Sequence, residues 1–197
     1  MKTVKPSVEI MHVTPYAYRL IEAAGRTCYK SEGKASAESA PAFCASIIKR
    51  GHLSVLEHAT ATVRFICDRG VTHELVRHRL AAYSQESTRY CNYGTAGEIM
   101  AIEPPGLSEY QRSVWLGALV QAERAYLLLI ASGAPPQIAR SVLPTCLKTE
   151  IVVTANFREW LHIFSLRTAP QAHPQIQEVM NQARRLLAEQ YPVIFAK

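Results

Sequence analysis

The chain has 197 residues, 48% of them hydrophobic and 19% charged, which excludes disordered and low-complexity classes and allows a sizeable core without disulfide staples. Lys and Arg number 22 against 16 Asp and Glu, a net charge of +6, so an anionic partner is favoured: a nucleotide, a phosphorylated cofactor, a nucleic acid or a polyglutamate. The five cysteines are odd in number, far apart and without a CxxC pair, which argues against a disulfide framework and against a zinc site.

No apolar run approaches the length of a membrane span. Pro6 and Glu9 stand where a signal peptide needs unbroken apolar sequence, so the expectation is one cytoplasmic domain over residues 1–197, with no membrane partner. Residues 8–13 (VEIMHV) read as a strand ended by Thr14-Pro15, and 16–26 as a helix with Ala17, Leu20, Ile21 and Ala24 at helical spacing. Residues 27–39 (TCYKSEGKASAES) form a polar loop. A helix over 40–50 carries Pro41 in its first turn and Gly51 as its stop. The turn GHLSVLEH follows. His52, Glu57 and His58 suggest a metal, but their spacing matches no helical HExxH arrangement.

Residues 59–67 alternate cleanly, with Ala59, Ala61, Val63, Phe65 and Cys67 on one face, which favours an antiparallel sheet. A helix is expected over 71–82. On it, Arg77 and Arg79 would point in nearly opposite directions and serve different ligands or different subunits. Strands are expected over 87–93 and 98–103, then a long helix over 108–132, read as core or interface, with a stripe of Val114, Leu119, Val120, Tyr126, Leu127 and Ile130. A short helix from Pro135 to Val142 carries Arg140. Cys146 lies in a polar turn beside Pro144 and Lys148, where a thiolate could be stabilised. Residues 149–155 form a β-branched strand, and Asn156 caps a helix reaching about Thr168. The last helix, 174–189, carries a regular core stripe from Ile176 to Leu187.

The chemistry concentrates in HELVRHRLAAYSQESTRY, residues 73–90. It offers many donors and few acceptors, the character of a site that receives phosphates. Arg77-His78-Arg79, then seven residues, then Ser87, with Tyr83 and Arg89-Tyr90 also in place, resembles the signature of the flavin-dependent thymidylate synthases (the ThyX family). GHLSVLEH, IARSVLP and NFREWLHIFSLR resemble further blocks of that family, in its order.

The resemblance implies an α+β fold, with a central, largely antiparallel sheet flanked by helices and long helices packing at subunit interfaces of a homotetramer. It implies that dUMP becomes dTMP, with methylenetetrahydrofolate as carbon donor, FAD as hydride-transfer cofactor and NADPH as reductant. Carried over by position, Ser54, Arg77, His78, Arg79, Gln85, Asn156, Arg158 and His162 would contact FAD. Glu74, Arg77, Arg140, Arg167 and the loop Gln85, Glu86, Ser87, Thr88 and Arg89 would contact dUMP. His52 would lie where folate or NADPH stacks, and Arg167 would be the catalytic group. No metal and no nucleic acid is implied. The chain departs from common versions of the pattern at Ser84, Gln85 and His162.

Physical reasoning agrees with those roles. Uracil carbon 5 is a poor nucleophile, and a guanidinium at the ring would stabilise its enolate-like anion. Ser87 has no histidine–carboxylate pair beside it in sequence, so a binding role is preferred to a nucleophilic one. Two alternatives are a basic nucleic-acid-binding module, whose cations and tyrosines would track a strand, and an inactive nucleotide-binding relative.

Overall fold

A computed structural model describes residues 1–36, 38–95 and 97–196. Position 37, inside the polar loop 27–39, lies outside the described residues. The chain forms two compact units: residues 1–7, 65–77 and 84–151 make one, and residues 8–64, 78–83 and 152–197 the other.

In chain order the strands are β1 (Lys2–Val4), β2 (Ser7–Val13), β3 (Thr60–Asp68), β4 (Ala81–Gln85), β5 (Met100–Ile102) and β6 (Lys148–Asn156). The helices are α1 (Ala17–Thr27), α2 (Ser39–Lys49), α3 (Arg69–Leu75), α4 (Glu109–Ala131), α5 (Pro136–Ala139), α6 (Phe157–Arg167), α7 (Pro174–Gln190) and α8 (Pro192–Phe195). One sheet has the order β2-β3-β6-β4, and β1 pairs with β5 in a second. In the first, Thr14 N–H donates to Thr60 O, and Phe157 N–H to Ala59 O while Arg69 N–H donates to Leu147 O. The end of one strand meets the start of its neighbour in both pairs, so both are antiparallel. The small β1–β5 pair is parallel, Lys2 opposite Met100.

The alternation of β3 is borne out, because Ala59, Ala61, Val63, Phe65 and Cys67 are all buried. In the larger unit Ala61 lies beside an aromatic cluster. The Phe157 ring packs edge-on against Tyr191 and Phe195, and Trp160 Nε1 donates to Ala61 O at 3.1 Å. In the other unit Ile99, Tyr126, Ala139 and Leu147 form a separate cluster. Gly51 ends α2 at φ 74, a conformation that favours glycine.

Two expectations fail here. The central helix does not reach Ala82: α3 stops at Leu75, and residues 81–85 are strand β4. The apolar residues Val76 and Leu80, which looked like a helical stripe, are exposed. The expected strand over 87–93 is a run of turns instead. Short apolar runs carry no unambiguous period, and strand pairing, with Glu86 N–H donating to Glu150 O beyond the end of β4, settles the local choice.

Along α4 only Leu119 and Tyr126 are buried. Val114, Val120, Leu127 and Leu128 are 42–60% exposed, so the stripe is core only at Leu119 and Tyr126 and surface over much of its length. By length and mean hydropathy of 1.4 this helix is also long and apolar enough to cross a membrane, contrary to the expectation from sequence. Glu123 and Arg124 interrupt it midway, and Glu123 accepts the N-terminal ammonium of Met1.

Candidate active site

The motif Arg77-His78-Arg79 folds as a non-helical link, which removes the argument that its arginines face apart on a helix. His78 is buried at 6% exposure, while Arg77 and Arg79 are exposed. The burial of an imidazole between two exposed cations follows from its partners. Arg167 Nε donates to His78 Nε2 at 3.0 Å. His78 Nδ1 lies 3.6 Å from Glu159 Oε1. The His162 ring stands edge-on to His78 at 5.7 Å, and Tyr83 Oη donates to the His78 carbonyl at 2.7 Å. Burial, then the nearby Glu159 carboxylate, pushes the Tyr83 hydroxyl up to about 12 against a partial opposing pull from Arg167, so it remains a donor.

Helix α6 positions most of this group. Asn156 caps it by accepting from Glu159 N–H at 2.8 Å, as the sequence suggested. Arg158 and His162, one turn apart, both line a cavity of about 630 Å³ with Glu57, Asn156, Glu159 and three leucines. Arg158 pairs with Glu57 at 2.6 Å, both half exposed. Glu57 therefore turns away from any joint metal set with His52 and His58. His52 and Ser54 line a different cavity, of about 270 Å³, with Cys28, Tyr29 and Arg50. His78, Glu159 and His162 do place three donor atoms within 4.8 Å of one another. A cation on Nδ1 would force the His78 proton onto Nε2, against the Arg167 N–H, so the set as folded disfavours a metal.

In the other unit the loop after β4 is built from a second group. Gln85 Nε2 donates to Thr72 Oγ1 at 3.0 Å and to Thr149 Oγ1 at 3.2 Å. Glu86 accepts from Tyr93 Oη at 2.5 Å and from Lys148 Nζ at 3.0 Å, so both its carboxylate oxygens are engaged within the protein. Ser87 Oγ accepts from Arg89 N–H at 3.3 Å, closing a turn. Arg140 donates to Thr88 Oγ1 at 3.1 Å. Arg89 is exposed and Glu74 half-buried on α3. Cys146 is no thiolate: burial pushes its thiol up, with a smaller opposing effect from a hydrogen bond with Trp115.

Sequence reasoning missed Glu159, Lys148 and Tyr93. Glu159 had a readable signal, an acid three residues after the Asn156 cap and three before His162. Lys148 had none, because its partner Glu86 lies 62 residues away, and Tyr93, seven residues from Glu86, was hidden in a stretch read as a strand.

Comparison with known proteins places the chain among a single group. Residues 9–193 match the family model described as thymidylate synthase complementing protein. The chain is 36% identical over 197 residues to the flavin-dependent thymidylate synthase of Geobacter sulfurreducens, covering 95% of this chain and 84% of that one. It is also 36% identical to the protein of the same name from Mycobacterium avium, covering 90% and 78%. The crystal structure of the UMP/dUMP methylase PolB from Streptomyces cacaoi, bound with 5-Br dUMP, superposes with a TM-score of 0.84 at 23% identity, over 100% of this chain and 96% of that one. That likeness bears on the fold.

Proposed function

This chain belongs to the thymidylate synthase complementing protein family, and from that premise we propose that it methylates dUMP to dTMP in a flavin-dependent reaction. Methylenetetrahydrofolate donates the carbon and NADPH the reducing equivalents. The observation that carries the reading is the part-buried Arg167–His78 bond, joined through Glu159 to the wall of a cavity lined by Asn156, Arg158 and His162. That donor set fits FAD. Leucines 53, 80 and 161 offer apolar contact to a flat ring, while the amide, guanidinium and imidazole meet its polar edge and phosphates.

When bound, the flavin supplies the hydride. The protein's residues bind and orient. Arg158, released from Glu57, and Arg79 neutralise the cofactor's phosphates, and the Ser54 hydroxyl donates a hydrogen bond to them. Ser87, Arg89 and Arg140 receive the nucleotide phosphate, with Arg77, Glu74 and Gln85 around the sugar and base. Glu86 anchors that loop through Lys148 and Tyr93. Arg167 holds positive charge at the pyrimidine carbonyl, where the anion develops as carbon 5 becomes nucleophilic. His52 lies where folate or NADPH stacks. The working assembly is a homotetramer, a reading supported by the exposed apolar residues of α4.

The test is direct. Protein reconstituted with FAD is expected to be yellow, to oxidise NADPH, and to release deuterium from carbon 5 of labelled dUMP only when folate is added. A colourless protein that releases no label defeats the proposal.

A further inference from the structure

We propose that Glu159 positions Arg167 through His78, by fixing which imidazole nitrogen carries the proton. The inference rests on the reading above in one respect, that Arg167 is the group at the pyrimidine.

A guanidinium has N–H groups to donate and no lone pair to accept with. Because Arg167 Nε lies 3.0 Å from His78 Nε2 as donor, Nε2 presents its lone pair. A neutral imidazole in that state carries its proton on Nδ1. Nδ1 faces Glu159 Oε1 at 3.6 Å. The Glu159 side chain is 8% exposed and that of His78 5%, so little water competes for the proton, and the negative charge favours Nδ1–H over Nε2–H. A carboxylate that holds an imidazole in one tautomer is a general way to fix what the far nitrogen does. Here the far nitrogen accepts from Arg167.

The rest of the pocket leaves the ring little freedom. Tyr83 pins the His78 carbonyl at 2.7 Å, and His162 stands edge-on against the ring. With the opposite tautomer, two N–H groups would meet at 3.0 Å and the guanidinium would have to turn. Helix α6 would survive loss of this carboxylate, because the Asn156 cap is made to the Glu159 backbone N–H and not to its side chain.

Two variants of the FAD-reconstituted protein test this, Glu159→Leu and Glu159→Gln. The first readout needs no activity. With 15N-histidine label, His78 in the unsubstituted protein is expected to show the Nδ1–H tautomer, and Glu159→Leu and Glu159→Gln, both of which remove the charge, to move it towards Nε2–H. The second readout is kinetic. Glu159→Leu should lower kcat about 10- to 100-fold with the KM for dUMP nearly unchanged, and Glu159→Gln, which also lacks the charge, should restore little of that loss. The double variant Glu159→Leu, Arg167→Ala should be no slower than Arg167→Ala alone. An unchanged tautomer in Glu159→Leu, or losses that multiply in the double variant, overturns the proposal. If the unsubstituted protein neither binds flavin nor releases label, the functional reading fails, and the tautomer measurement still decides this one.

Discussion

A guanidinium stabilises a developing anion only where its charge is held in register with it. Arg167→Ala should therefore keep bound flavin but lose about 100-fold or more in turnover. Deuterium release near the normal rate would remove Arg167 from the chemistry. Glu86 answers a different question. Its carboxylate serves both Tyr93 and Lys148, and Lys148 has Glu150 only at 3.9 Å. Glu86→Ala should destabilise the protein by about 2 kcal/mol, read by urea unfolding, and raise the KM for dUMP more than it lowers kcat. The reverse split would mean Glu86 acts on the reacting ring. Cys44 and Tyr83 are among the acids that set the alkaline limit. Cys44, fully buried, is raised by desolvation from 9.0 to about 12, with the Glu22 charge adding to it. Tyr83 is raised from 10.0 to about 12 by burial, then by Glu159. Raised pKa values mean the folded state prefers the neutral forms, so their contribution is complete below pH 9 and is lost as pH rises towards 12. Urea midpoints should fall over that window, and Cys44→Ala should flatten part of the fall. A midpoint constant to pH 11 would contradict this.

At the scale of the element, α6 holds both the site and its own terminus with one residue. Asn156 caps the helix and also lines the cavity. Asn156→Ala should cost about 1 kcal/mol through the lost cap and weaken flavin binding as well. Asn156→Ser should restore most of the stability. If it restored flavin affinity equally, the cap alone would explain Asn156. The elements also show where sequence reading succeeds. Strand β3 and helix α7 were legible because each sustains one period along its length, two in the strand and 3.6 in the helix. Helix α3 was over-extended because Val76, Leu80 and Ala81 continue its apolar spacing, while the strand that claims residues 81–85 is specified by a neighbour, β6, far away in the chain.

At the scale of the whole molecule, α4 presents Val114, Val120, Leu127 and Leu128 to solvent in an isolated chain. Such a face asks for cover, and association of copies through it would supply that. Leu128→Glu should shift the protein to a smaller species in light scattering while leaving its circular dichroism unchanged. An unaltered mass would remove α4 from the proposed interface.

The sequence by itself determined the family, the α6 cap and the regular elements, because each is written in neighbouring residues. Only the tertiary structure decided that His78 is buried between Arg167 and Glu159, that Glu86 is spent on Tyr93 and Lys148, and that α3 ends at Leu75. The reason is physical. Hydrogen-bond partners of buried groups are chosen by proximity in space, and the Arg167–His78 pair is 89 residues apart along the chain, a separation across which no local pattern carries information.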